Sequence, residues 1–549
     1  MKPALWDSLK AYRKKDVLSD LIAGLTVAIV ALPLSVALGI QSGEGATLHM
    51  GIWAAIIGGL LIAAFGGNRT TIGGPSAAFI ALTAGMLANT NIGMDGMLLS
   101  VIFAGVILVI AGFCKAGKGL GMMPNTIIVG LTAGLGVILL FTQFKEFFGL
   151  SMPPLDYDAP LTRVSPFIAG IISLIQGFGS FGVLNLIPLG IAVFALILVF
   201  VLPKINKKIP AVTVSVLLAT ILTVILQAAF KSDLGISTVG SIASGAPEIT
   251  FISFRNINPQ IHLIIVPAFT IALVSALEAL TTANMSESAT GKKFNANMEI
   301  VGSGIANIGA GFFGSLPVTG TLARTKINID SGAKTPLAGI FHALILLILY
   351  VALMPVMIYI PFAALSGVLI KVSINMCRFK LFGHYMKFGK RDCAILLTTF
   401  LLTVFLGVLW GVLAGVALAL VINAKYFKHR MVITDINIAD VKNCSKIHKS
   451  ENDENGENAV RTAAIKVCGS VFFANIEKLI AAIRAAAEHH DEIVIDLEGI
   501  AQIDATSVYR LAKLTSAFSK RDKRLVLHNL CPCVYKRYIT SLELIYSFK

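Results

Sequence analysis

Gly73-Gly74-Pro75-Ser76-Ala77-Ala78-Phe79 and Ser315-Leu316-Pro317-Val318-Thr319-Gly320-Thr321 decide the fold of this chain. Each sets a proline among small residues just before a short apolar run, and each lies inside long hydrophobic sequence. The runs at 76–88 and 319–330 are too short to cross a bilayer alone, which takes about 20 residues. They read as half-helices with broken starts. An unpaired backbone amide in hydrocarbon costs several kcal/mol, so such breaks survive only where they line a cavity or hold something. The N-terminus of a half-helix carries roughly half a positive charge. Two such ends directed at one another near the bilayer midplane make an anion site.

Outward from these breaks, apolar segments fall at roughly 21–40, 51–65, 76–88, 97–113, 124–141, 186–203, 210–229, 263–285, 300–313, 319–330, 336–356, 360–374, 392–408 and 409–426. The fold expected is an α-helical polytopic membrane protein of fourteen segments. Segments three and ten are seven apart, and seven is odd, so a duplicated seven-helix unit inserts with inverted orientation. A 7+7 inverted repeat follows, with Pro75 and Pro317 as matching positions of the two halves. Even-side loops carry Arg69, Lys115, Lys118, Lys204, Lys207, Lys208, Lys292, Lys293 and the cluster from Lys371 to Arg391, while loop 41–50 has no Lys or Arg. The even side, with both termini, is therefore expected in the cytoplasm.

The composition agrees, with 56% hydrophobic and only 14% charged residues concentrated in loops and the last 120 positions. A net charge of +15 would suit nucleic acid, but the cations are dispersed between apolar spans, so topology rather than a polyanionic partner accounts for them. The first ~18 residues are polar and basic and lead into a full span, so no cleavable signal is expected. Seven scattered cysteines, with Cys531-Pro532-Cys533 as the one close pair, lack zinc spacing, and no metal or cofactor is expected.

The texture changes near Arg430. The division expected is a transmembrane domain over 1–430 and a cytoplasmic linker with a small α/β domain over 431–549. The run 451–458 reads as a solvated loop, followed by strands at 464–473, 492–497 and 524–529 alternating with helices at 475–488, 506–519 and 534–545.

Several stretches resemble the sulfate permease (SulP) family of anion transporters over nearly the whole length. They are Asp20-Leu21-Ile22-Ala23-Gly24-Leu25-Thr26 running to Ala31-Leu32-Pro33, the Gly-Pro-Ser-Ala of segment three, and Gly302-Ser303-Gly304-Ile305-Ala306-Asn307. Arg324-Thr325-Lys326-Ile327-Asn328 and Ser331-Gly332-Ala333-Lys334-Thr335 complete the set. The resemblance implies core and gate domains, with transport by an elevator-type movement of one against the other, in a homodimer. A bacterial inner membrane is the expected location. The tail stretch Ile495-Asp496-Leu497-Glu498-Gly499-Ile500, then Ile503-Asp504-Ala505-Thr506-Ser507-Val508, resembles the STAS domain. In the anti-sigma-factor antagonists that share this domain the first Ser after the Asp is phosphorylated. Here that position is Ala505, although Thr506 is adjacent, and Asp504 is placed as a helix N-cap. A regulatory protein at this domain is a further implied partner.

The substrate-binding residues expected are Pro75, Ser76, Ala77 and Ala78 with Thr321, Leu322, Ala323 and Arg324. A cation at the membrane centre costs about 2.5–3.5 kcal/mol even on lenient insertion scales, so Arg324 is expected to face a partner or a cavity. Family members place an Arg here near the central anion. The bland alternative is a structural ion pair with a carboxylate. Glu278 is the acidic residue of its span and Thr282 lies one turn on, on the same face. With Gly320 they form the expected cation-coupling group. A carboxylate in low dielectric suits a proton carrier, whereas carboxylate, hydroxyl and carbonyl oxygens suit Na+. The cyanobacterial bicarbonate transporters of the family resemble this stretch, with Asp in place of Glu278. A fixed counter-ion to Arg324 is the remaining reading of Glu278. His262, His342 and His384 lack ligand spacing and read as packing or interfacial residues. No catalytic triad or nucleotide loop supports an enzyme. Sulfate and bicarbonate lead among substrates and dicarboxylates such as fumarate or succinate follow, with an uncoupled exchanger or channel and a membrane-anchored signalling scaffold as rivals.

Overall fold

The computed structural model describes the chain except residues 1, 11, 44, 90–91, 122, 151–170, 172–185, 207–208, 231–233, 242–260, 425–430, 437–461, 520–522, 530 and 548–549. The expected solvated run 451–458 and the cations at 207–208 lie outside the described residues. All fourteen apolar segments are helical: Lys14–Ile40, Leu48–Phe65, Ala77–Phe79 continued by Ile80–Ala88, Gly93–Phe113, Asn125–Thr142, Leu186–Ile205, Ala211–Phe230, Ile261–Thr290, Ala296–Phe312, Leu322–Asp330, Leu337–Met357, Phe362–Cys377, Lys390–Leu406 and Val408–Asn423. Nine of the described helices are long and apolar enough to cross a membrane. The chain is a polytopic helical membrane protein with a small α/β domain at its C-terminal end.

The packing forms two units. One holds Met1–Gly121, Leu131–Arg378 and Leu401–Gly411, and the other Met122–Gly130, Phe379–Phe400 and Val412–Lys549. In the first, two three-residue strands that the sequence does not announce, β1 (Gly73–Pro75) and β2 (Val318–Gly320), pair antiparallel with Gly73 opposite Gly320 and Pro75 opposite Val318. β2 takes the residues expected to begin the second half-helix, which therefore starts at Leu322 rather than at 319. The ribbon presses onto helix Leu48–Phe65 because glycine leaves it room. A Cβ on Gly73 would stand 2.2 Å from the Gly58 carbonyl oxygen.

A second junction in this unit joins two of the stretches that carry the family resemblance. Asp20 is fully buried, and its Oδ1 accepts from the Lys334 N–H at 2.7 Å and the Thr335 N–H at 3.3 Å. Its Oδ2 accepts from the Thr335 hydroxyl at 2.5 Å and from Tyr12 at 3.4 Å. Burial and the neighbouring Asp20 carboxylate push the Tyr12 phenol up to about 12. Asp20 thus ties the first span to the turn that enters helix Leu337–Met357, which packs along it.

The second unit contains the α/β domain. Its sheet runs β3 (Val432–Ile436), β4 (Thr462–Val471), β5 (Glu492–Asp496), β7 (Arg524–His528), with β6 (Ile500–Ile503) also on β4. β4, β5 and β7 are mutually parallel and correspond to the three expected strands, joined by helices Ile476–His489 and Ala505–Ser519. β3, β6 and the amphipathic helix Phe379–Phe388 are additions to the sequence reading. Ile465, Ile483, Ile493, Ile495 and Leu511 fill the core between sheet and helices. Asp504 acts as the expected N-cap. Its Oδ1 accepts from the Ser507 N–H at 2.8 Å, and its Oδ2 accepts from the Phe473 N–H at 3.0 Å.

Thr506 is 1% exposed, and its hydroxyl oxygen accepts from the Asn125 N–H at 3.1 Å. A kinase cannot reach a hydroxyl so placed. Thr506→Glu is expected to destabilise this unit by several kcal/mol, since it buries an unpaired charge. A thermal melt at the parent midpoint would reject that expectation.

Candidate functional site

The ribbon gives the two half-helices a common base. Because β1 and β2 are antiparallel, helix Ala77–Ala88 leaves one end of the ribbon and helix Leu322–Asp330 the other. Their N-terminal ends therefore face one another across it. The first-turn amides of any helix have no acceptor within the helix, so both ends present donors and partial positive charge. At the first, the Ser76 oxygen accepts from the Ala78 N–H at 3.3 Å. At the second, the Thr321 N–H and hydroxyl both donate to the Ile72 carbonyl, at 2.9 and 3.2 Å. Thr321 thus gives its hydrogen to the backbone. Ser76, Ala77, Thr321 and Leu322 are partly exposed and Ala323 is exposed, whereas the strands beneath them are buried.

Buried polar side chains sew the ribbon to its surroundings. Asn307 donates through Nδ2 to the Val318 carbonyl at 2.8 Å, and its Oδ1 accepts from the Val318 N–H at 3.0 Å. Ser275 donates to the same carbonyl at 3.0 Å and accepts, through its own carbonyl, from the Thr319 hydroxyl at 2.9 Å. On the other side the Thr325 hydroxyl oxygen accepts from the Ile72 N–H at 3.0 Å, and Asn328 donates to the Thr70 carbonyl at 2.9 Å. Glu299, fully buried, holds the approach to β1, its Oε2 accepting from the Gly67 and Asn68 N–H groups at 2.8 and 2.9 Å. Asn307, Thr325 and Asn328 stand in the stretches that carry the family resemblance, whereas Ser275 and Glu299 have no part in the sequence reading. A buried amide or carboxylate inside an apolar span is the signal that marks them.

Arg324 is among the largest fully buried side chains. Its guanidinium passes behind the ribbon, where an alanine Cβ at Gly74 would stand 2.1 Å from Nη1, and Nη2 donates to the Ser35 hydroxyl at 3.1 Å. Nε and Nη1 have no hydrogen-bond partner, and no carboxylate pairs with the group among the described residues. His342, also fully buried, lies close enough to feel this charge. The alternative of a structural ion pair at Arg324 is therefore corrected. So is Glu278 as its counter-ion. The Glu278 carboxylate meets the Ser76 hydroxyl instead, and Arg378 is the cation acting on it.

The structure thus brings Pro75, Ser76, Ala77 and Ala78 together with Thr321, Leu322 and Ala323 through the ribbon, and places Glu278 at the first helix end. The Thr282 hydroxyl donates to the Gly320 carbonyl at 2.9 Å, so that pair is joined to each other one turn from Glu278. His384 bonds Ser541 within the second unit at 3.1 Å, and the His262 side chain lies outside the described residues. Among the described residues no three His, Cys, Asp or Glu converge as metal ligands.

The model of the Sulfate permease family matches residues 17–399, the stretch holding both half-helices, the ribbon and Arg324. The chain belongs to the sulfate permease family. That family is one of transporters, not enzymes. A STAS-domain family, Mlab, STAS domain, matches residues 457–537 of this permease. The permease is 27% identical to the bicarbonate transporter BicA of Picosynechococcus over 93% of its own length and 88% of that protein. It is 24% identical to sulfate transporter 4.1, chloroplastic, of Arabidopsis thaliana, over 95% of this chain and 76% of that one. The solved transmembrane domain of a cyanobacterial BicA superposes with a TM-score of 0.63 at 27% identity, covering 74% of this permease and 98% of that domain.

Proposed function

We propose that this permease is a secondary active transporter of a small inorganic anion, sulfate or bicarbonate, that moves its substrate together with a proton or sodium ion. One observation carries the reading: a fully buried Arg324 with no carboxylate partner among the described residues, directly behind a ribbon from which two helix N-termini open. Taking a charge out of water costs several kcal/mol, and an anion at the half-helix ends offsets that cost. The anion is held by first-turn amides beside Pro75, Ser76, Ala77, Ala78, Thr321, Leu322 and Ala323, with Arg324 supplying the long-range charge. The names of the relatives support sulfate and bicarbonate as candidates. The ribbon binds both helix ends into one block, which suits an elevator-type movement of that block with its anion. Both termini face the cytoplasm of a bacterial inner membrane in this reading, the protein is a homodimer, and the small domain serves a regulatory partner.

Coupling has a physical motive, because an inside-negative potential opposes anion entry by about 2.3 kcal/mol per charge per 100 mV. Glu278, touching Ser76 at the first helix end, is the group we assign to it, with Thr282 and Gly320 beside it. The decisive experiment is uptake into liposomes over sulfate, bicarbonate and fumarate with imposed proton or sodium gradients. A current that follows the anion's Nernst potential with no dependence on either gradient would establish a channel instead. Glu278→Gln keeps the volume but carries neither proton nor charge. It is expected to cut gradient-driven accumulation by about 50-fold, the factor that roughly 2.3 kcal/mol supplies, while exchange at equilibrium persists. Accumulation at the parent level would remove Glu278 from the coupling path.

A further inference from the structure

The short helix Ala4–Lys10 precedes the first span, and its two ends fix where it lies. At one end the Ala4 N–H donates to the Gly66 carbonyl at 2.9 Å, just past helix Leu48–Phe65. At the other, residues 11–13 lead directly into helix Lys14–Ile40. These two spans are consecutive and pack on one another, so the end of the second and the start of the first lie on the same side of the membrane. A seven-residue helix is about 10 Å long, close to the separation of about 8–10 Å between packed helix axes. Tied to both spans, it runs along the membrane surface rather than across it.

Its faces differ. Ser8 is buried and donates its hydroxyl to the Ala4 carbonyl at 2.8 Å, whereas Trp6 and Leu9, three apart and so on one side, are 64% and 50% exposed. The exposed side chains at the adjoining ends of the spans, Phe65, Leu18, Leu21 and Ile22, are apolar as well. Charge is the second, independent feature. The first 16 residues hold five Lys and Arg against Asp7 and Asp16. Asp16 is taken by Lys334 at 2.7 Å, with Arg13 also acting on it. Lys2 and Lys10 are exposed and have no ion-pair partner among the described residues. Lys10 stands four residues from Trp6, on the same side of the helix.

We propose that helix Ala4–Lys10 is an interfacial anchor that lays Trp6 and Leu9 into the bilayer and binds anionic phospholipid headgroups through Lys2 and Lys10. Tryptophan favours the level of the headgroups, and a basic residue beside it adds attraction to acidic lipid. The apolar pair continues the lipid-facing surface of the two spans, which selects the bilayer as the occupant. Through the Ala4 bond the anchor also holds the turn Gly66–Asn68, whose amides Glu299 grips at the approach to β1. The proposal stands whether or not the transport reading above is right.

The test uses the full chain in nanodiscs of phosphatidylcholine doped with brominated phosphatidylglycerol or, at equal mole fraction, brominated phosphatidylcholine. The chain has three tryptophans, and the emission that Trp6→Phe removes is the signal of Trp6. Both brominated lipids are expected to quench that signal, phosphatidylglycerol more strongly, while aqueous acrylamide quenches it little. Lys2→Gln and Lys10→Gln should each lower the preference for phosphatidylglycerol about fivefold, the factor that roughly 1 kcal/mol per cation supplies. These variants change exposed side chains only, and their elution in size-exclusion chromatography checks the fold. A Trp6 signal open to acrylamide and untouched by brominated lipid overturns the proposal. So does a signal shielded from both, which would put a second copy of the chain over Trp6, and so does a double variant that keeps the full preference.

Discussion

Arg324→Ala is expected to lower anion affinity about 30-fold while leaving the protein at least as stable as the parent. At an effective dielectric of about 20, two unit charges about 4 Å apart interact by about 4 kcal/mol, and at twice any such separation by half as much, roughly 2 kcal/mol, which is that factor. Stability moves the other way because Arg324 has no carboxylate partner to orphan among the described residues. Ser35, which accepts from Nη2, keeps its own bond to the Ala31 carbonyl at 2.7 Å. A structural ion pair would behave oppositely, since breaking a buried pair costs about 3–5 kcal/mol. Affinity by titration and the thermal midpoint, read on one preparation, separate the two. Unchanged affinity for every transported anion, or a collapsed midpoint, would count against the role given to Arg324.

Asn307→Leu should have a large effect on the folding of the first unit. The side chain satisfies both backbone groups of Val318, and Asn307 and Val318 are fully buried. Leucine keeps much of the volume but strands the Val318 N–H where no water reaches. An unmade buried bond costs about 1–3 kcal/mol, and the lost amide bonds bring the expected total to roughly 2–4 kcal/mol. Ser275→Ala is the comparison. It also loses a bond to the Val318 carbonyl, but Asn307 still donates there, so about 1 kcal/mol is expected. Transport should fall with the first variant and survive the second. Equal stability of the two would mean that the ribbon is held by packing rather than by these bonds.

The helices were legible because an apolar run of span length has few other uses, and prolines among small residues mark where a span breaks. The ribbon was not legible. Three residues are too few to show the two-residue alternation of a strand, and β1 and β2 lie in different halves of the chain. The same gap hid the direction of Arg324. Sequence places it one turn inside a half-helix, but only the closeness of Gly74 shows that its guanidinium passes behind the strand. A pairing of Glu278 with Arg324 stays open in the sequence as an alternative to coupling because both are rare charges in apolar spans. Folding gave Glu278 the Ser76 hydroxyl instead. In the small domain the parallel strands stood out as short apolar runs, whereas β3 and β6 carry mixed residues and emerge only through pairing with β4.

The bond from the Ile72 amide to Thr325 closes a loop of 253 residues. A ribosome adding roughly 5–20 residues per second needs about 10–50 s to lengthen the chain that far. For that interval Gly73–Pro75 is a strand without a partner, in the environment that least tolerates one. The nascent first half must be kept hydrated, or shielded by the insertion machinery, until Val318–Gly320 emerges. Variants that slow or truncate the second half should therefore be degraded before their transport can be measured, and the site is born only when the two halves meet.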